Sequence, residues 1–370
     1  MRILVVNAGS SSMKLRLLGA DDSIALSHDL DPEGLDERGS LEQLFDESEF
    51  EAVGHRVVHG GRSFSSATII TDEVLKQIAS LEELAPLHQA PSVKGIDRAR
   101  RAFPNQPHVA CFDTAFHSGM PAVSSTYAVP QEWRERWGVR RYGFHGLSHA
   151  YASRRCAEMI GRPLESLRIV TCHLGAGASL AAVAGGRSVD TTMGLTPLEG
   201  LVMATRSGSI DPSIPLWLQE HGGLPPVEIK EALERDSGLA GLAGTPDMRE
   251  VLKRASEGDA RARLARDVYV HSLRGGIARM AASMEGVDAV VFTGGVGERS
   301  FEIRSLAAAG LGWLGIRLDE PQNRQAEGDV DISAEGAPVR AAVVPAREEI
   351  QMAREIRDLL DRGRADSIDP

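Results

Sequence analysis

Short apolar runs alternate along this chain with segments of helical periodicity. Eight of the runs predict strands, at residues 3–6, 14–18, 52–58, 109–112, 167–172, 179–183, 289–293 and 340–344. Apolar residues recur at helical spacing in two segments, near 74–81 and near 259–284. This alternation predicts an α/β fold in which ligands bind at the carboxyl ends of strands.

Two strand–turn–strand units lie about one domain apart. The first joins its strands through NAGSSSMK, which begins at Asn7, and the second through HLGAGAS, which begins at His173. The pair indicates a duplicated architecture, although any two hairpins with small turn residues share this pattern. Duplication and coincidence both stay open on the pattern alone.

Length and charge narrow the function classes. The chain has 370 residues, which as a prior means two domains, and its net charge of −11 argues against binding to nucleic acid or to an anionic membrane surface. No apolar run reaches the ~20 residues of a membrane span. The three cysteines, Cys111, Cys156 and Cys172, form no CxxC pair. The expectation is a cytoplasmic protein without disulfides.

Three glycine-rich turns follow or join predicted strands, at residues 9–12, 175–177 and 294–300. Such turns expose backbone N–H groups toward one point and let a phosphate approach closely. Ordinary hairpin turns remain the alternative for each of them. The sequence contains no GxxxxGK[ST], GxSxG or HExxH motif, and its single GxGxxG match, GLGWLG at residues 310–315, does not follow one of the predicted strands. P-loop NTPases, dinucleotide-binding Rossmann enzymes, α/β-hydrolases and zincins are therefore disfavoured.

Two strand ends carry charged residues. Arg56 and Val58 share one face of the strand at 52–58. A guanidinium beside an apolar side chain suits a small carboxylate with a short alkyl tail, and a structural salt bridge is the alternative. Asp113 ends the apolar strand at 109–112 and is a candidate base or metal-linked acid, or else a helix N-cap.

Two further segments contain candidate polar groups. His145 and His149 stand four residues apart in YGFHGLSH, and as zinc ligands they would need a third partner, so a hydrogen-bonding histidine is favoured. Residues 190–212 are dense in Gly, Thr and Pro, and Arg206 is their one cation. Long ordered loops of this kind are usually functional.

Together these segments resemble acetate kinases over nearly the whole chain, in order and at near-family spacing. The matching stretches are VVNAGSSSMK, GHRVVHGG, LAPLHQAP, CFDTAFH, YGFHGLSH, CHLGAGAS, TTMGLTPLEGLVMATRSGSIDP, DSGLAGLAGTPDMR, VFTGGVGERS and VVPAREEI. The resemblance implies the actin-like ATPase superfamily, with two similar α/β domains of ribonuclease H-like type and the active site in the cleft between them. The expected division is 1–115 with 348–370, and 116–347.

The resemblance also implies an activity: reversible, Mg²⁺-dependent in-line transfer of the γ-phosphoryl group of ATP to acetate, giving acetyl phosphate and ADP. Mn²⁺ is an alternative ion, and a homodimer is implied. Two rival functions remain, the same chemistry on propionate and a nucleotide-switch ATPase that transfers no phosphate to a metabolite. A carboxylate pocket speaks against the switch protein.

Residue roles follow from the resemblance alone. Asp113, His145 and Arg206 are the catalytic candidates, and Arg56 binds the substrate carboxylate. The methyl pocket comprises Val58, Leu87, Phe144 and Pro197. Asn7 and Glu348 are the metal candidates. The nucleotide-binding candidates are Lys14, His173, Leu174, Gly175, Ala176, Gly177, Asp247, Met248, Arg249, Gly295, Val296, Gly297, Glu298 and Arg299.

Three positions depart from the family pattern. Ala176, Arg299 and Arg347 stand where acetate kinases usually carry asparagine. The departures concern the affinity for the phosphoryl donor rather than the catalytic set. Asp113 is expected to orient the substrate or a metal-bound water, because a carboxylate acceptor is already ionised at pH 7 and needs no base.

Overall fold

The computed structural model describes residues 1–8, 13–30, 41–82 and 86–366, with the backbone alone described at residues 47, 86–88 and 364–366. Two compact units divide the chain. The first comprises Met1–Ser118, Phe144–Tyr151 and Arg347–Pro370, and the second comprises Gly119–Gly143 and Ala152–Ala346. The division into folding domains expected from the sequence stays a prediction.

The first unit is built on a six-stranded sheet of order β3-β2-β1-β4-β6-β5. Its strands are β1 (Ile3–Ala8), β2 (Met13–Leu18), β3 (Ile24–Leu30), β4 (Ala52–Val57), β5 (Thr68–Ile69) and β6 (His108–Phe112). Its helices are α1 (Leu41–Leu44), α2 (Asp72–Ser80), α3 (Pro86–Ala102) and α15 (Glu348–Asp366). Helix α6 (Gly146–Ile160) has its first six residues here and the remainder in the second unit.

The second unit contains a sheet of order β11-β12-β10-β7-β8-β9. Its strands are β7 (Arg168–Leu174), β8 (Ala178–Ala184), β9 (Arg187–Thr191), β10 (Ala289–Thr293), β11 (Val330–Asp331) and β12 (Arg340–Val343). Its other helices are α4 (Ala122–Ser125), α5 (Gln131–Trp137), α7 (Ser213–Gly222), α8 (Pro226–Arg235), α9 (Gly238–Ala243), α10 (Met248–Ser256), α11 (Ala260–Ser283), α12 (Gly294–Arg299), α13 (Phe301–Ala309) and α14 (Glu320–Arg324).

The two sheets repeat one topology. In the first, β1 pairs antiparallel with β2 and parallel with β4, and β4 continues parallel to β6. In the second, β7 pairs antiparallel with β8 and parallel with β10, and β10 continues parallel to β12. A short antiparallel strand, β5 or β11, closes each sheet beside its last parallel strand. The duplication indicated by the two hairpins is therefore confirmed, and so is the α/β class.

Helix α15 covers one face of the first sheet at very short range. A Cβ built on Gly54 in β4 would lie 2.3 Å from Cδ1 of Ile356. Ile356 and Met352 are fully buried. Only a glycine leaves room for this approach, so β4 and α15 are held directly against each other.

The opposite face of the sheet forms a separate apolar cluster with α2 and α3, in which Val57 packs with Ile78, Ile96 and Phe112. Alternate residues of β4 therefore face different layers, as predicted. In the second unit Leu273, Ile277 and Met280 of α11 are buried, which confirms the helical stripe. None of the described helices combines the length and hydropathy needed to cross a bilayer.

Candidate active site

Arg56 lies between two carboxylates in the first unit. Its Nε and Nη2 donate to Oδ1 and Oδ2 of Asp113 at 3.0 and 2.7 Å. Its Nη1 lies 3.0 Å from Oε2 of Glu348, in the first turn of α15. Arg56 is the penultimate residue of β4 and Asp113 directly follows the parallel strand β6, so the pairing of these two strands brings the side chains together. The salt bridge that was the alternative for Arg56 is therefore present.

Burial and the neighbouring charges change the pKa of Arg56 in opposite directions. Burial lowers the pKa of Arg56, but the charges of Asp113 and Glu348 hold that pKa above its usual value on balance. The Asp113 side chain is almost fully buried, with 1% exposed, whereas that of Arg56 is 20% exposed. The carboxylate of Asp113 is thus engaged with Arg56, and Thr114, not Asp113, is the N-cap of the short 3₁₀ helix Ala115–His117 that follows.

His145 is fixed beside Asp113 by the backbone. The amide of Gly146 donates to the Asp113 carbonyl at 2.9 Å, and a Cβ on Gly146 would lie 2.2 Å from that oxygen. His145 itself adopts φ 57°, a left-handed conformation that non-glycine residues rarely occupy. Its carbonyl accepts from His149 and starts α6. Strain at a single residue next to the charged cluster is typical of a functional position.

The zinc alternative for His145 and His149 finds no third ligand. Within the described ranges, no group of three His, Cys, Asp or Glu side chains could hold a metal ion. The two rings lie 6.4 Å apart at an angle of 62°. The pair is an aromatic contact along α6.

The four candidate methyl-pocket residues fall at four places along the chain. Val58 follows β4 directly and is half-buried. Phe144 is buried, accepts a hydrogen bond at its carbonyl from Nε2 of His117 at 3.1 Å, and meets the ring of His59 edge-on. Leu87 belongs to α3, and its side chain lies outside the described part. Pro197 belongs to the second unit.

Asn7 and Lys14 face each other across the first hairpin. They are directly paired in the register of β1 and β2, so their side chains share one face of the sheet. Asn7 is half-buried and Lys14 is exposed. The predicted phosphate turn between them, residues 9–12, lies outside the described residues.

Arg206 is carried by an irregular segment in the second unit, between β9 and α7. Its Nη1 donates to the Pro197 carbonyl at 3.1 Å, and burial lowers its pKa. Gly208 has φ 71°, and a Cβ there would lie 2.4 Å from the Leu201 carbonyl oxygen. The predicted loop at 190–212 is therefore ordered and closely packed on itself.

Arg141 holds this loop from outside. Its Nη1 donates to the carbonyls of Thr192 and Met193 at 2.9 and 3.0 Å, and its Nη2 pairs with Glu199 at 2.6 Å. Glu199 also accepts from the Tyr127 hydroxyl, and burial raises the pKa of that tyrosine. Arg141 was not predicted from the sequence, because it stands one residue before the YGFHGLSH motif and its partners are mostly backbone carbonyls.

A cavity of about 760 Å³ opens in the second unit. Eight nucleotide-binding candidates line it: Gly175, Ala176, Asp247, Met248, Arg249, Gly295, Val296 and Arg299. Leu239, Leu252 and Tyr269 add apolar surface. Ala204 of the Arg206 loop also lines the cavity and donates its amide to the Ala176 carbonyl at 3.1 Å. The cavity thus combines apolar side chains with glycine backbone and charged side chains.

Two of the cavity residues pair with each other. Asp247 caps α10 by accepting from the Arg249 amide at 2.9 Å, and its carboxylate also pairs with the Arg249 guanidinium. Hydrogen bonds from Arg249 lower the pKa of Asp247. Tyr269 was not predicted from sequence; its hydroxyl is buried and has no hydrogen-bond partner among the described residues.

Five nucleotide-binding candidates of the second unit do not line the cavity: His173, Leu174, Gly177, Gly297 and Glu298. Leu174 is fully buried. The carboxylate of Glu298 accepts from the amide of Ala346 at 3.0 Å. Their roles stay predictions. Among the three departures, Arg347 donates to the Tyr151 hydroxyl at 3.1 Å.

Comparison with known proteins shows to which family this architecture belongs. Residues 35–354 match the model of the acetokinase family. The acetate kinase of Deinococcus radiodurans is 48% identical, covering 96% of this chain and 97% of the relative. The crystal structure of Porphyromonas gingivalis acetate kinase superposes with a TM-score of 0.89 at 35% identity, covering 97% and 99% of the two chains. A propionate kinase from Francisella tularensis gives 0.86 at 35% identity, covering 96% and 98%. The chain therefore belongs to the acetokinase family and is a kinase.

Proposed function

We propose that the protein is an acetate kinase, which reversibly transfers the γ-phosphoryl group of ATP to acetate and gives acetyl phosphate and ADP. The observation that carries the proposal is the guanidinium of Arg56, held by Asp113 and Glu348 at the carboxyl end of β4. Half-buried Val58 follows it two residues later. A planar cation beside a short apolar side chain fits a carboxylate with a methyl group.

On the acceptor side, no proton needs to be removed, because acetate is ionised at neutral pH. Arg56 orients the acetate carboxylate, and Asp113 positions Arg56 through its two hydrogen bonds. One acetate oxygen forms the new bond to the γ-phosphorus as the bond from that phosphorus to the ADP oxygen breaks. Arg206 and His145 donate hydrogen bonds to the transferring phosphoryl oxygens, where charge redistributes in the transition state.

On the donor side, the cavity in the second unit holds the nucleotide. Its apolar lining, including Leu239 and Leu252, suits the base, and the glycines at 175 and 295 leave room for the phosphates. Lys14 meets the phosphates as a point charge. Exposed Arg299 and Ala176 lie at the cavity surface, so these departures from the family pattern bear on donor affinity.

Asn7 and Glu348 would hold Mg²⁺, with Mn²⁺ as the alternative ion. Mg²⁺ is usually bound by one or two carboxylates together with substrate phosphates and waters. The carboxylate of Glu348 and the side-chain amide oxygen of Asn7 are protein ligands of this kind. When bound there, the ion would neutralise phosphate charge as the two anions approach.

Trapping of acyl phosphate by hydroxylamine tests the proposal. The purified protein is incubated with Mg²⁺, a phosphoryl donor (ATP, GTP or pyrophosphate) and acetate, propionate or butyrate. Hydroxamate is expected only when both ATP and a carboxylic acid are present. Omission of the acid or of Mg²⁺ is the control. ATP hydrolysis that is indifferent to the acid would instead indicate a nucleotide-switch ATPase.

Propionate is the second candidate acceptor, favoured by the similarity to a propionate kinase. One methylene in an apolar pocket changes the transition-state free energy by only about 1–3 kcal/mol. The ratio of kcat/KM for acetate to that for propionate decides between them. A ratio above one supports acetate kinase, and a ratio below one supports propionate kinase.

We also propose a cytoplasmic homodimer. The three cysteines are free and buried, which suits a reducing compartment. Leu216, Trp217 and Val227 of α7 and α8 are 60, 57 and 61% exposed, an apolar surface suited to a second copy of the chain. Light scattering of the wild type and of Trp217→Glu tests the dimer. A wild-type mass of one chain, 39.7 kDa, would contradict it.

A further inference from the structure

Helix α12 forms one wall of the cavity and is anchored at both ends. At its start, Gly294 has φ 76°, and a Cβ there would lie 2.9 Å from the backbone of Leu174 in β7. Gly295, Val296 and Arg299 face the cavity. The cavity wall formed by α12 therefore begins directly after β10 and lies against the end of β7.

At its end, α12 is held by Arg304 of α13. Nη1 of this buried guanidinium donates to the carbonyls of Gly297 and Glu298, both at 2.8 Å. Nε and Nη2 donate to the side-chain and backbone oxygens of Asn323, both at 2.7 Å. Burial lowers the pKa of Arg304 to about 10. The last carbonyls of a helix have no hydrogen-bond donors within the helix. Arg304 provides donors for two of them in α12.

The side chain of Glu298 leaves α12 on a different side from the cavity. Its Oε1 accepts from the backbone amide of Ala346 at 3.0 Å. The preceding backbone is held at Val344, whose amide donates to the Phe292 carbonyl of β10 at 3.0 Å. Beyond Ala346 the chain needs two residues to reach Glu348, where α15 begins. The contact to Glu298 thus lies only two residues before Glu348.

We infer that Glu298 is a positioning residue: its carboxylate fixes the backbone at Ala346 and so sets the start of α15, from which Glu348 reaches Arg56. The inference rests on the proposed function, in which Glu348 would hold the metal ion and pairs with Arg56 at the acceptor site. It assigns to Glu298 a role other than the nucleotide contact that the family resemblance implies. A carboxylate facing nucleotide phosphates would repel them, whereas one bound to an amide is satisfied.

Arg304 makes this arrangement rigid. Because it holds the carbonyl of Glu298 itself, the residue that contacts Ala346 is fixed on both its backbone and its side chain. A helix that lines the donor cavity is thereby joined to the segment that leads to Glu348. Misplacement of a reacting group by about 1 Å costs on the order of a hundredfold in rate, so a small shift at Ala346 is enough to matter.

Two variants separate a positioning role from nucleotide binding. Glu298→Gln keeps an oxygen acceptor for the Ala346 amide, and Glu298→Ala removes it. Glu327→Ala, which deletes an exposed carboxylate elsewhere in the second unit, controls for lost negative charge. The measurements are amide hydrogen exchange at Ala346, the Kd of ADP without metal, kcat, and the Mg²⁺ concentration for half-maximal rate.

We expect Glu298→Ala to speed exchange at Ala346 by at least about tenfold and to lower kcat by about ten- to a hundredfold. The Kd of ADP should stay within about twofold, and Glu298→Gln should restore slow exchange and most of kcat. Glu327→Ala should match the wild type. A higher Mg²⁺ requirement in Glu298→Ala is expected, because Glu348 is displaced.

Two results would overturn the inference. One is a weakened ADP affinity in both Glu298 variants that accounts for the loss of rate, which would make Glu298 a nucleotide ligand. The other is unchanged exchange at Ala346 in Glu298→Ala. If the wild type forms no acyl phosphate, the proposed function fails instead, and the exchange rates still report whether Glu298 holds Ala346.

Discussion

The carboxylate of Asp113 accepts two hydrogen bonds from one edge of the Arg56 guanidinium, at 3.0 Å from Nε and at 2.7 Å from Nη2. The remaining edge, with Nη1, faces Glu348. Asp113 and Glu348 thus divide the donors of one arginine between them. A substrate carboxylate that binds Arg56 must share these donors, which ties acceptor binding to the positions of both acids.

Replacement of Arg56 should therefore affect stability and catalysis together. Arg56→Leu is expected to raise the KM for acetate, to lower kcat and to leave the Kd of ADP unchanged. Because it leaves a buried carboxylate without its partner, it should also destabilise the fold by about 3 kcal/mol or more. Steady-state kinetics and urea unfolding measure the two effects.

The double variant Arg56→Leu with Asp113→Asn separates the effect on stability from the effect on catalysis. Removing the unpaired charge should restore much of the stability but none of the activity. An unchanged KM for acetate in folded Arg56→Leu would contradict the assignment of Arg56.

Arg206 should matter for the rate more than for binding. Arg206→Lys is expected to lower kcat by at least about a hundredfold, because a point charge cannot replace a planar set of donors aimed at the phosphoryl oxygens. The KM values should change little. Arg235→Lys, an exposed substitution at the end of α8, is the matched control. A kcat near the wild-type value in Arg206→Lys would refute the role.

Two neighbouring valines provide a matched pair for the methyl pocket. Val58→Ala should shift the kcat/KM ratio toward propionate by about tenfold, because it removes bulk of roughly one methylene. Val57→Ala, on the opposite, core-facing side, should lower the free energy of unfolding by about 1–3 kcal/mol and leave the ratio unchanged. Equal ratios in wild type and Val58→Ala would place Val58 outside the pocket.

A buried histidine pair should make the fold sensitive to acid. His55 Nε2 lies 2.9 Å from His108 Nδ1, and His108 Nε2 lies 3.0 Å from the Phe103 carbonyl. Because a carbonyl only accepts, His108 donates to it, and His55 must donate to His108. Burial, then the charges of His108 and Arg100, hold the pKa of His55 well below its usual value.

In the window from about pH 6.5 down to that lowered pKa, the unfolded chain binds a proton at His55 that the folded chain does not. Within this window, each decrease of one pH unit should lower the free energy of unfolding by up to about 1.4 kcal/mol through His55. Above the window, the contribution of His55 should stay constant. Urea unfolding of the wild type and His55→Phe at pH 7.5 and 5.5 measures the difference. Equal pH dependence in both proteins would contradict the prediction.

The central strands could be predicted because both of their faces are buried, which makes them continuous apolar runs. The run at 289–293 matches β10, all of whose residues are buried. Strand β3 was not predicted, since its residues are mostly exposed and polar residues interrupt the apolar ones in its sequence, IALSHDL. Strand β9 is short and polar, and β5 and β11 have two residues each. Edge strands depend on pairing, which leaves little mark on their composition.

The candidate residues were found through motifs, but their partners were not. Arg56 and Asp113 are 57 residues apart, and only the parallel pairing of β4 and β6 brings them together. The contact from Glu298 to Ala346 spans 48 residues and uses a backbone amide, which no side-chain pattern records. Arg141 and Arg304 act through backbone carbonyls in the same way. Such contacts follow from tertiary packing alone.

The close fit of α15 on Gly54 has a consequence for the order in which the chain can fold during translation. Met352 and Ile356 complete the core over β4, yet they are made more than 290 residues after Gly54. All residues of the second unit, up to Ala346, have by then been synthesised. The unit that contains the first strands is therefore the last to be completed on the ribosome, the reverse of the usual N-to-C-terminal order.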